Sequence, residues 1–258
     1  MKISLGNYIP RDSFVHHLDP RVKLLLMAFG IGVCFHIDTL LGLGLFLGMC
    51  LCMTKLAAIP LKQLFSGLTP FLWLFVFTAL LHVFMTPGEP LPLLPLATRE
   101  GLNNGLRVGV QLVYAIWIST LMTLATSPLD MVWALEWFMR PLKYLRVPVD
   151  EIALLVMLAI RFIPLLFEET DRILKAQKAR GVDLETGGML RKVKAFVPVI
   201  VPLLHGVFRR ADDLAIALTL RGYAPGTKRS RMKENKARTS DIIALLSTAA
   251  VLLVFIWL

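Results

Sequence analysis

Cysteine is scarce in this chain: 3 residues among 258, and Cys34, Cys50 and Cys52 all fall inside apolar runs. They read as buried small side chains, neither a disulfide framework nor a metal set. The five histidines, His16, His17, His36, His82 and His205, show no metal-ligand spacing, so no metal is expected. No glycine-rich loop ends in Gly, Lys and Ser or Thr, which excludes ATP binding by that route, and no other cofactor motif occurs. Zinc-finger spacing and nucleic-acid motifs are also missing, which argues against a nucleic-acid partner. Residues 1–21 have neither an apolar core nor a small-residue cleavage site, so no cleavable signal peptide is expected and the first apolar run is retained. Acid is under-represented, with 18 Asp plus Glu against 28 Lys plus Arg.

Apolar residues are abundant. They make up 56% of the chain, and the mean hydropathy of +0.68 exceeds what a water-soluble core of this size needs. They cluster in runs at about Val22 to Phe35, Leu40 to Ala58, Leu64 to Met85, Leu106 to Ala125 and Ile242 to Leu258. Each approaches or reaches the roughly 20 residues that cross a bilayer as a helix, so five transmembrane helices are expected.

Charge orients them. Residues 128–240 hold 20 of the 28 basic residues, and Lys2, Arg11, Arg21, Lys23, Lys55 and Lys62 flank the first three runs. A cytoplasmic N-terminus keeps these groups inside and leaves His36 to Thr39 and the stretch Pro87 to Pro95 outside. The expected organisation is an N-terminal membrane domain of four spans over 1–126, a cytoplasmic domain over 127–240, and a C-terminal span over 241–258. The basic domain suits anionic lipid or an acidic protein partner.

Helix punctuation adds detail. Asp19 with Pro20 reads as an N-cap and first-turn pair, and Ser127 with Pro128 repeats it. After Ser127, Leu129, Val132, Trp133, Trp137 and Leu142 share one face, as in an amphipathic helix at the membrane interface. The run Ile152 to Phe167 is short for a span. It also carries Arg161, which costs about 2.5 to 3.5 kcal/mol near a bilayer centre, and Pro164. A helix that packs against the membrane domain and continues to Arg180 is expected instead. A second helix runs from about Met189 to Arg221, with a kink at Pro198 and Pro202.

Both helices close on an arginine-glycine step, Ala179, Arg180, Gly181 and Leu220, Arg221, Gly222, with the arginines 41 residues apart. Glycine after a helix takes the left-handed conformation that ends it, and a cation in the last turn complements the helix dipole, so either step alone explains itself as punctuation. Two such ends in one chain suggest a shared docking role, because a guanidinium on a rigid tip offers a fork of donors to a partner's groove.

Two other classes have weaker support. Glu168, Glu169 and Arg172 are similar to the paired glutamates and arginine of membrane CAAX-type proteases, but the spacing differs, and a Glu168–Arg172 pair on a solvated helix explains them. An autonomous channel or carrier needs ionisable groups within the spans, and only His82 lies well inside one.

Together these residues resemble the transmembrane T component of energy-coupling factor transporters, the EcfT and CbiQ group. The match runs through His17 to Arg21 with Lys23 and Leu24; Thr126, Ser127 and Pro128; Arg161 to Pro164; Glu168 and Glu169; and Ala176, Gln177, Ala179, Arg180 and Gly181. One departure is Leu220, where alanine is usual. The resemblance implies a non-enzymatic coupling subunit of an importer in the inner or plasma membrane. By it, the two tips enter grooves on two ATP-binding cassette subunits, a homo- or heterodimer, and the membrane part holds a small substrate-binding S component. ATP-driven closure then reorients that component to release a vitamin or transition-metal ion.

Overall fold

The computed structural model describes residues 8–91, 94–182, 188–224, 226 and 239–257. Residues 187 and 225, and all of the basic run 227–238, lie outside them. The regular elements among the described residues are helices apart from one short hairpin. The helices are α1 (Phe14–His17), α2 (Pro20–Cys34), α3 (Leu40–Leu56), α4 (Leu61–Leu68), α5 (Leu72–Met85), α6 (Arg99–Ala125), α7 (Pro128–Met139), α8 (Val149–Ala179), α9 (Met189–Leu220) and α10 (Thr239–Trp257). A 3-10 turn at Thr69–Phe71, where Pro70 removes a donor, joins α4 to α5, and another at Arg140–Leu145 follows α7.

Local chemistry sets the helix starts. The Asp19 side chain accepts from the Arg21 amide at 2.9 Å to open α2, and Thr39 and Thr98 cap α3 and α6 in the same way. Ser127 accepts from the Asp130 amide while its hydroxyl donates to the Asp130 carboxylate at 2.7 Å, a reciprocal cap on α7. The sequence expectation of five apolar spans thus falls on α2, α3, the run Leu61–Met85, α6 and α10.

Two of these, Leu61–Met85 and Arg99–Ala125, are long and apolar enough by themselves to cross a bilayer. Only 6% of the apolar window in Leu61–Met85 is buried. A soluble protein does not leave Phe65, Leu72, Trp73, Val76, Phe77 and Phe84 exposed on one run, whereas hydrocarbon covers them without cost.

The chain divides into two compact units. One comprises residues 6–137 with the C-terminal segment from 233, and α6 is its central helix. One stripe of α6 donates a ladder of hydrogen bonds. Arg107 donates to Asp38 at 2.7 Å, Gln111 to the Ile37 carbonyl at 2.9 Å, Tyr114 to the Leu43 carbonyl at 2.9 Å, and Trp117 to Thr54 Oγ1 at 3.0 Å. Such bonds hold helices together where burial of apolar surface supplies little drive. The other face of α6 meets α5 through Gly101 and Gly105. A Cβ there would come within 2.5 Å of the His82 carbonyl and 2.8 Å of the Ala79 carbonyl. These glycines form a G-x-x-x-G step that lets two backbones touch. His82 belongs to this contact, its ring bonded to the Thr78 carbonyl at 3.0 Å.

The hairpin, β1 (Pro90–Leu91) with β2 (Leu94–Thr98), pairs antiparallel between α5 and α6. Proline disfavours strands, so the sequence suggested only an external loop there. The second unit comprises residues 138–232 and is built on α8 and α9.

Candidate functional site

Both arginine-glycine steps fall at helix ends with the same backbone geometry. In α8 the Gly181 amide donates to the Lys178 carbonyl at 3.0 Å and the Val182 amide to the Gln177 carbonyl at 3.1 Å. In α9 the Gly222 amide donates to the Thr219 carbonyl and the Tyr223 amide to the Leu218 carbonyl, both at 2.9 Å. This is the Schellman arrangement twice over. Arginine is the last half-helical residue, and glycine turns left-handed at φ 82° and 74°.

The cap fixes where the arginine points from, and none of the described residues holds its head by an ion pair. Ala179, Arg180, Gly181, Leu220, Arg221 and Gly222 are all exposed, and neither guanidinium has an ion pair among the described residues. Leu220 is 83% exposed, so its bulk projects outward at the tip.

Contacts between α8 and α9 define how the tips relate. Gln177 donates to the Pro198 carbonyl at 3.2 Å, Arg210 to Glu169 at 2.8 Å, and the Gly226 amide to Glu151 at 2.8 Å. As the residue number on the first segment falls, its partner's number rises, so the helices run antiparallel. The Glu169–Arg210 bond lies eleven residues before each tip. At 1.5 Å per residue the tips stand about 16 Å to either side of it, roughly 30 Å apart. The structure therefore places the two steps at opposite ends of one helix pair.

Both helices stay continuous through Pro164, Pro198 and Pro202. The sequence expectation for the acidic cluster is corrected in one respect. Glu169 reaches across to Arg210, while Glu168 and Arg172 are exposed with no ion pair between them among the described residues. A Glu169 already bonded to an arginine is poorly placed to act as a catalytic base. Sequence reasoning missed Arg210, and its one signal was that Glu169 and Arg210 share the 41-residue offset of the tips. Among the described residues no group of three or more His, Cys, Asp or Glu side chains is arranged to hold a metal.

Fold and tips define an all-helical integral membrane protein that carries a pair of opposed, arginine-capped helices. The family described as CbiQ, cobalt transport protein, matches residues 11–233. The energy-coupling factor transporter transmembrane protein EcfT of Thermanaerovibrio acidaminovorans is 43% identical, over 95% of this chain and 91% of its own. The EcfT proteins of Bacillus subtilis and Limosilactobacillus fermentum are 40% and 37% identical, over 96% and 98% of this chain and 96% of theirs in both cases. The chain belongs to the EcfT and CbiQ family and is a transmembrane component of an energy-coupling factor transporter.

Proposed function

We propose that the chain is the non-catalytic coupling scaffold of an ATP-driven importer: Arg180 and Arg221 dock two ABC-type ATPase subunits, and the membrane part carries a substrate-binding S component. The observation that supports this most is the equal placement of two identically capped arginines about the Glu169–Arg210 contact. An antiparallel pair with equal arms has an approximate two-fold axis through its midpoint. A partner that meets both tips alike is a dimer of similar subunits with a matching axis. The ATPases move the two arms, and the arms reorient the S component to release its cargo, a vitamin or a transition-metal ion.

Each guanidinium enters a groove in one ATPase, and glycine lets the chain turn away immediately behind it. Removing one arm of a desolvated charge pair at an interface costs about 2 to 5 kcal/mol. Positive charge concentrated in residues 128–240 supports a cytoplasmic coupling region and N-terminus in the inner or plasma membrane.

One experiment tests both docking and orientation. Membrane vesicles stripped of ATPases are offered purified ATPase subunits. Binding is expected on inside-out vesicles only, weakened by Arg180→Ala or Arg221→Ala and abolished by the double change. Undiminished binding by the double variant refutes the docking role, and binding to right-side-out vesicles refutes the orientation.

A further inference from the structure

The unit of residues 6–137 with α10 contains a cavity of about 260 Å³ between α1, α2, α3, α6 and α10. Its lining is almost wholly apolar and rich in methionine, with Met27, Met49, Met53 and Met122 presenting flexible thioethers that adapt to the shape of an apolar occupant. The single charged lining group is Lys23, which is 7% exposed. Its ammonium donates to the His16 carbonyl at 3.0 Å and to the Ala125 carbonyl at 3.2 Å. An ammonium has three donors, and the third has no acceptor among the described residues. A buried donor left unmatched is costly, so a group in the cavity that accepts it gains affinity.

The arrangement is graded along the helix. Lys23, Met27 and Gly30 follow one another on a single face of α2, with Lys23 three residues inside the helix start and Gly30 roughly 10 Å deeper. On α6 the order is reversed, from Ile118 to Ala125 at the end that meets Lys23. The cavity thus has a polar end where α2 begins and α6 ends, and an apolar body below it. This is the polarity of one bilayer leaflet. A volume this small admits an aliphatic chain and excludes a helix.

The charges around Lys23 favour a neutral head. Asp19, Asp130 and Asp241 already act on the Lys23 ammonium, and a further anion would be repelled by three carboxylates. We propose that the cavity holds one acyl chain of a membrane glycerolipid, with an ester carbonyl of that lipid accepting the remaining Lys23 N–H. The site is separate from the arginine tips and does not depend on how they act.

Native mass spectrometry of the protein purified in mild detergent provides the test, with fragmentation to identify bound lipid. About one glycerolipid per chain is expected to stay with the wild-type protein. Gly30→Leu fills the cavity from α2, where an added Cβ makes only ordinary contact with Ile118 at 3.6 Å, and Met53→Trp fills it from α3. Either change is expected to lower retention at least tenfold with size-exclusion profile and helicity unchanged. In a second arm, the wild-type protein is exchanged through vesicles of ester-linked or ether-linked dioleoyl phosphatidylcholine, and the ester lipid is expected to be retained several-fold better. Equal retention by the filled variants, or a free fatty acid as the only occupant, overturns the site. Equal retention of ester and ether lipids overturns the carbonyl contact.

Discussion

Gly181 and Gly222 have left-handed φ values, and among the described residues no atom beyond their immediate backbone surroundings lies within 4 Å of where a Cβ would stand. Substitution there meets no steric wall among the described residues, so its cost is that of the backbone conformation, about 1–2 kcal/mol for an ordinary L-residue. Asparagine tolerates this region and valine does not. Gly181→Val is therefore expected to speed hydrogen exchange at the Val182 amide, which the cap bonds to Gln177, by roughly five- to thirty-fold, and Gly181→Asn by much less. Equal exchange in the two variants would contradict the cap. Arginine and glycine at a helix end are local signals, which is why both tips were legible in the sequence. The free position of the guanidiniums was not, because it depends on what the rest of the fold leaves nearby.

At the scale of elements, the antiparallel pairing of α8 and α9 carries the most weight, and the half-buried Glu169–Arg210 bond is its midpoint. A pair of this exposure contributes about 1 kcal/mol. Arg210→Glu places two carboxylates together and is expected to lower the thermal midpoint in detergent. Adding Glu169→Arg is expected to restore it, with a coupling of about 1 kcal/mol across the double-mutant cycle. Zero coupling would remove the contact from its central place. Periodicity and caps marked the helices themselves, since apolar runs and Asp19-Pro20 or Ser127-Pro128 act within a few residues. The partner of each helix was hidden. Residues 169 and 210 are brought together only when both helices fold, and nothing near either names the other. The close contact of α5 with α6 was legible in principle, because Gly101 and Gly105 keep the spacing of touching backbones.

At the scale of the molecule, an apolar unit laced by the α6 hydrogen-bond ladder and a unit of paired helices divide the labour. The ladder ties α6 to α3 and to the turn before it, while the apolar run Leu61–Met85 stays exposed. Composition marked the apolar runs that become α2, α3, Leu61–Met85, α6 and α10. Reconstitution tests the coupling role most directly. Liposomes containing this chain alone are expected to show no uptake, and liposomes with the ATPase pair and the S component are expected to import cargo only with ATP, an activity lost in the Arg180→Ala, Arg221→Ala double variant. Full uptake by the chain alone, or ATP-driven uptake undiminished in the double variant, would contradict it.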